Sequence, residues 1–204
     1  MRVLTLLCAA LLLTLPALCG CSPLSSKPST LSVTTDQSEL TIAQQVSDAR
    51  LGIAVFLAAD NPEQAGTELL DARRKSIAES HLGDLYTVVG NRLLQDAPQA
   101  VAAGRPDSAG RLYRMAREIY PEDRQRQATI VLSLAEIDEK LGQCADQLLK
   151  KGLIAYRSGD LAAAVEIWKK IGRFYPDHPP SQVAISTTEQ QLRTLENLAA
   201  GAEK

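Results

Sequence analysis

Residues Gln147 to Pro176 read QLLKKGLIAYRSGDLAAAVEIWKKIGRFYP, and their spacing predicts two amphipathic helices joined by a tight turn. In the first helix Leu148, Gly152, Ala155 and Tyr156 recur at three- and four-residue intervals and so share one face. A glycine inside a helix costs about 1 kcal/mol relative to alanine, so Gly152 on that stripe predicts a neighbour too close for a side chain. Ser158-Gly159-Asp160 interrupts the run. Gly159 can take the left-handed conformation that ends a helix, and Asp160 is a good N-cap for the next. Leu161, Ala164, Val165, Trp168 and Ile171 line one face of the second helix, with small Ala164 opposite the small residues of the first. Trp168, the only tryptophan, is expected to fill the wedge between this hairpin and its neighbour; a ligand-binding box is the alternative. Pro176 is expected to stop the second helix after Tyr175, because it lacks the amide hydrogen and restricts the residue before it.

Gly152, Ala155, Gly159, Ala164, Trp168 and Pro176 match the small, small, turn, small, large and proline positions of a tetratricopeptide repeat, and the stretch from 145 to 178 resembles that family. Lys151 and Ile171 depart from it, standing where leucine and alanine are usual. Residues 90–122 resemble it more weakly: aligning Pro121 with Pro176 also places Gly104 on Gly159, Ala109 on Ala164 and Tyr113 on Trp168. That offset exceeds the family's unit of about 34 residues. An additional helix from Gln125 to Leu141, with Ile130, Leu134, Ile137 and Leu141 on one face, is expected to fill the difference and lead through Gly142 into the hairpin. The resemblance implies an all-α protein, antiparallel helical hairpins stacked as a short right-handed superhelix, with a C-terminal capping helix.

Elsewhere between residues 39 and 200 the pattern is helical. Leu40, Ala43, Val46, Leu51, Val55 and Ala58 predict one long helix. Asn61-Pro62 with Gln64 is a strong start signal for the next, whose stripe is Ala65, Leu69 and Ala72. Arg73-Arg74-Lys75 is expected to be its solvated end, where positive charge suits the helix dipole; contact with anionic lipid is the sharper alternative. Ile77, Leu82, Leu85, Val88 and Leu93 predict a further helix, in which Gly83 and Gly90 would admit a close neighbour. Pro98 and Gly104 are expected to fragment the stretch after Leu93. A last helix from Ser181 to Ala199 is expected to bury Val183, Leu192, Leu195 and Leu198 and to turn Glu189, Gln190, Arg193 and Glu196 to water, closing the stack.

The N-terminus reads differently. Met1-Arg2 supplies one positive charge, and Val3 to Leu15 is an apolar run too short for a comfortable membrane span. It leads into Leu18-Cys19-Gly20-Cys21, which resembles the lipobox of bacterial lipoproteins, with Cys19 where alanine or serine is commoner. The resemblance implies a signal peptide over 1–20, lipidation of Cys21 by palmitate-type acyl chains, and loss of Cys8 and Cys19. Acyl chains anchor by burying apolar surface, and two suffice for stable attachment. Ser22, in place of an aspartate after the cysteine, implies the outer membrane with the protein facing the periplasm. A plain secretory signal and an uncleaved anchor helix are the alternatives. Residues 21–38, rich in serine, threonine and proline, are expected to form a flexible tether. Cys144 would then be a lone buried thiol in an oxidising compartment, with an intermolecular bridge as the alternative.

A net charge of −2 and a pI near 5.8 argue against a nucleic-acid binder, which would normally show a concentrated basic face. His81 and His178 have no second ligand at metal-binding spacing; His178 is expected to be exposed in its turn and His81 to lie on a helix surface or boundary. No glycine-rich phosphate loop follows a strand, and no carboxylate pair is singled out for acid–base work. No catalytic residue, metal ligand or cofactor is therefore expected, and the chain does not read as an enzyme. Lys150, Tyr156 and Arg157 are the candidate partner-binding residues, with Tyr156 equally suited to finishing the core. The resemblance implies a lipid-anchored scaffold that binds another cell-envelope protein or peptide. The alternatives are a permanent structural subunit of an outer-membrane or pilus assembly complex and, more distantly, a helical envelope enzyme.

Overall fold

The structure is a computed structural model; it describes residues 33–202, with side chains described from 41 to 201. Among these residues it is all-α, with eight helices packed antiparallel in sequence order. They are α1 (Val33–Ala58), α2 (Pro62–Arg74), α3 (Glu79–Ala102), α4 (Pro106–Glu118), the single turn α5 (Arg124–Gln127), α6 (Leu134–Arg157), α7 (Leu161–Gly172) and α8 (Pro179–Ala202). Long helices of 24 to 26 residues alternate with short ones of 12 or 13. The pairs α1/α2, α3/α4 and α6/α7 are hairpins; α4 joins the second pair to the third, and α7 carries α8. This is an arrangement of the helical-repeat kind.

The hairpins share one turn. Asp60, Gly104 and Gly159 have positive φ (56°, 72° and 88°), each one or two residues past the end of a long helix. The next residue then returns its amide to a carbonyl five positions back: Asn61 to Phe56, Arg105 to Ala100 and Asp160 to Ala155, at 2.9, 2.9 and 3.0 Å. This is a Schellman closure, which satisfies carbonyls the helix end would otherwise leave unpaired. Ser76 (φ 61°) closes α2 in the same way, with Ile77 bonding to Ala72 at 3.0 Å. Caps start the following helices: Asn61 Oδ1 accepts from the amide of Gln64, and Asp160 Oδ1 from that of Ala163. Ser133 and Glu136 form a full capping box at the start of α6.

Counted from these turns, the three short helices superimpose in sequence. Five residues on stand Ala65, Ala109 and Ala164, each fully buried; nine on stand Leu69, Tyr113 and Trp168, also buried. Glycines then let the units nest. A Cβ on Gly66 would lie 2.7 Å from Met115 of α4, and one on Gly110 would lie 2.6 Å from the ring of Phe174. Gly152 receives the indole of Trp168 where its Cβ would be, as the close approach in the sequence required. Arg73 is not solvated as expected. It donates to the carbonyl of Glu118 at 2.7 Å and lies 5.2 Å from the centre of the buried Tyr86 ring, tying α2 to α3 and α4.

Several boundaries differ from the reading of the sequence. Gly142 lies inside an unbroken α6, so the expected helix 125–141 is the first third of α6 preceded by α5 and irregular chain. Pro98 does not fragment α3; it sits on the exposed face of a continuous helix. α7 ends at Gly172 rather than at Tyr175, and Phe174 turns back into the core. α1 begins at Val33 and so takes in the last residues of the expected tether. It buries Ile53, with Val46, Ala49, Phe56 and Leu57 beside it, and leaves Leu51 and Val55 exposed. In α3, Val89 rather than Val88 faces the core.

Gly142 and Gly152 therefore make opposite predictions within one helix. A Cβ on Gly142 meets nothing within 4 Å, so Gly142→Ala should stabilise by about 1 kcal/mol through helix propensity. Gly152→Ala should destabilise by about 1–3 kcal/mol, because its methyl group collides with Trp168. Paired thermal or urea melts measure both.

A candidate partner-binding groove between α6 and α8

Leu149, Leu153 and Tyr156 recur at four- and three-residue intervals on α6, beside the stripe that packs on α7. Across from them α8 presents Val183, Ala184, Thr187 and Thr188, and Trp168 of α7 forms the floor. Together they enclose a groove of about 340 Å³ without a charged residue in its lining. Burial explains the floor. Trp168 is 3% exposed and its Nε1–H donates to the carbonyl of Leu149 at 3.1 Å, so the indole hydrogen is satisfied inside the core. The Tyr156 ring centre lies 6.2 Å from that of Trp168, tilted by 36°. Its hydroxyl donates to Oε1 of Gln191 at 3.0 Å, linking the groove's walls.

The α8 wall matches its sequence only in part: Leu192 is partly buried and Gln190, Arg193 and Glu196 are exposed as expected, but the rest of the expected apolar face is not buried. Thr188 and Ser181 are buried, with Ala184 and Ile185 partly buried, while Val183, Leu195 and Leu198 are 63%, 50% and 66% exposed. At 3.6 residues per turn, Gln191, Leu195 and Leu198 continue the line of Ala184 and Thr187. The apolar wall thus runs on past the end of α6, whose Leu153 is itself 39% exposed. Glu189, on the other side of α8, is held by Lys169 at 3.2 Å. That hydrogen bond, with a second to Glu166, keeps the Lys169 ammonium charged to higher pH than usual and pins α7 to α8.

Of the residues singled out in the sequence, Tyr156 lies in the groove, whereas Lys150 and Arg157 are exposed on α6 outside its lining. Gly152, Ala155 and Ala164 set the α6/α7 spacing and Gly159 the turn, while Pro176 is exposed and accepts from the Gln182 side chain at 2.8 Å. Leu149, Leu153, Ala184, Thr187 and Thr188 were missed. The first two were visible as a second stripe beside Leu148 and Gly152. His178 is buried, not exposed: its Nδ1 accepts from the amide of Ser181 at 3.2 Å, capping α8, and its ring lies 5.5 Å from that of Tyr175. His81 is exposed as expected. Cys21, like Cys8 and Cys19, lies outside the described residues.

Another cleft is charged and internally paired. Between α2, α3 and α4, Arg92 pairs with Asp60 and Asp96, and Arg111 with Glu63. Among the described residues no three His, Cys, Asp or Glu side chains are grouped to hold a metal ion. Cys144 is buried on α6, and desolvation pushes its thiol from 9.0 to about 11. The folded thiol therefore stays neutral where the unfolded one ionises. Its contribution to stability is complete below about pH 9 and is lost as pH rises toward 11. Melts between pH 8 and about 11 should fall more steeply for the native chain than for Cys144→Ala, whose slope lacks this group. No family model, curated protein or solved structure matches the chain.

Proposed function

We propose that the protein is a tetratricopeptide-like module, its hairpins wound as a short right-handed superhelix, that binds a segment of another cell-envelope protein in the α6/α8 groove. One observation carries this reading: an open, uncharged, apolar groove floored by a fully packed tryptophan, with leucine and valine left in water on both walls. Exposed apolar residues aligned across two helices mark interaction surfaces, whereas scattered ones do not. The partner's contacting face is apolar, and the Tyr156–Gln191 pair offers it a hydroxyl and a carboxamide. Nothing in this role requires a cofactor or catalysis.

The same reading places the module on the periplasmic side of the outer membrane, tethered by acyl chains on Cys21, because Leu18-Cys19-Gly20-Cys21 resembles a lipobox. The protein then recruits or scaffolds its partner during envelope assembly or maintenance. A second reading, a permanent structural subunit, draws on the exposed Leu195 and Leu198 beyond the end of α6, since a face of that kind suits constant cover.

Two experiments separate these statements. Cys21→Ser should move the processed protein from the membrane to the soluble fraction; unchanged fractionation rejects the anchor. Leu153→Asp and Val183→Asp change largely exposed positions, so both variants should keep the cooperative melt at a cost of about 1 kcal/mol, chiefly through helix propensity. Both should abolish crosslinking to whichever envelope protein the native chain enriches. Retained crosslinking in both variants rejects the groove, and a partner that survives extensive washing and co-purifies at fixed stoichiometry favours the permanent subunit.

A further inference from the structure

The connection from Ile119 to Ser133 is far longer than the turns between the other helices. It carries only the single turn α5, and connections of about 12–15 residues with so little secondary structure of their own are uncommon in compact domains. Its middle, α5 and the irregular chain after it, lies against α3. There α3 offers two buried glycines instead of side chains. The guanidinium of Arg126 occupies the space a Cβ on Gly83 would need and pairs with Glu79 at 3.3 Å; Ile130 Cδ1 lies 3.3 Å from the Cβ position of Gly90. Asn91 grips the main chain on either side of Ile130, its Nδ2 donating to the carbonyl of Thr129 and its Oδ1 accepting from the amide of Val131, both at 2.9 Å. The segment itself is mostly exposed, Val131 at 57%, and Ile130 and Leu132, both only partly buried, are the aliphatic side chains it packs on the core. Beside it a polar cleft of about 640 Å³ stays open, lined by Ser80, Asp84, Thr87 and Gln125 among others.

A purely structural strap would be fastened by buried apolar side chains. This one is fastened as a bound peptide is: one charged anchor, one aliphatic anchor in a slot made by a missing side chain, and a carboxamide reading the backbone on either side of the aliphatic one. We propose that this face of α3 is a second docking surface, distinct from the α6/α8 groove, and that residues 123–131 are its resident, displaceable occupant. The partner that fits is a protein segment carrying an arginine and, four residues later, a β-branched aliphatic residue, with its backbone free on both sides of the latter. Such a segment competes with the resident one, so occupancy depends on partner concentration.

The test replaces residues 122–132 of the full chain by a glycine–serine linker of equal length and titrates it with a labelled peptide of sequence EDRQRQATIVLS, residues 122–133. The replaced chain should keep its helical circular dichroism and bind the peptide, and the native chain should bind about tenfold or more weakly through competition. Adding Asn91→Ala to the replaced chain, or changing the isoleucine of the peptide to alanine, should each weaken binding by about tenfold. In the native chain the Val131 amide should exchange with deuterium much faster than amides in the middle of α3. The proposal is overturned by any one of five results: loss of the cooperative fold on replacement, no binding by a folded replaced chain, equal binding of a scrambled peptide, equal binding by the native chain, or a Val131 amide as protected as the core of α3.

Discussion

Everything in this fold depends on how closely each short helix returns against the long one before it. The constraint is a single left-handed residue, Asp60, Gly104 or Gly159, followed five positions later by a fully buried alanine. The left-handed residue reverses the chain within a few positions, and the alanine leaves no bulk between the backbones. Four residues further on, a large side chain fills the space beneath: Leu69, then Tyr113, then Trp168. The increase in size along the series accompanies a change in what lies opposite. Ile53 of α1, Ala97 of α3 and Gly152 of α6 stand seven residues before their turns, so the long helix shrinks as the short helix's anchor grows. At the third level the exchange is direct, the Trp168 indole standing where a Cβ on Gly152 would be, as a close-packed interior demands.

The same exchange continues between hairpins. Gly66 and Gly110 hold equivalent places on α2 and α4 and accept Met115 and Phe174. In α7 that place is Val165, which is buried, and α8 packs along α7 through Ser181, Ile185 and Thr188 instead. α8 is therefore a long helix with no short helix folded back on it among the described residues, and its side toward α6 remains open. The groove is a consequence of that geometry: the Trp168 floor belongs to the hairpin, and the walls belong to two long helices with nothing between them.

Much of this was legible in the chain, for reasons that also explain the failures. Gly159-Asp160 and Gly104 mark their turns because glycine is the residue least strained at positive φ. Asp60 and Ser76 adopt the same conformation without glycine, so the first hairpin went unrecognised as a copy of the others although Ala65 and Leu69 were both placed on its buried stripe. Glycine misled in the other direction at Gly142, where a helix with a capping box at its start and buried residues on both sides runs straight through. Periodicity alone located the helices of α1 and α8 but mixed faces in each: Val46 and Leu192 are partly buried, whereas Leu51, Val55, Val183, Leu195 and Leu198 are exposed. α8 packs chiefly on α7, where small polar residues such as Ser181 and Thr188 are buried in place of leucine. The groove's far wall was therefore legible only through Val183, Leu195 and Leu198, read as buried, while Leu149 and Leu153 of its near wall stood beside the hairpin stripe that includes Tyr156. His178 was misread because its ring nitrogen serves as a helix cap, a role that spacing does not reveal.

Trp168 is the only tryptophan, so its fluorescence reports directly on whether α6 and α7 close over it to make the groove floor. The geometry predicts blue-shifted emission, protected from acrylamide in the native chain and shifting to the red only at the cooperative melt. Red-shifted emission quenched as freely as that of indole in water, in a chain whose helices are intact, would contradict the packing on which the groove and its function rest.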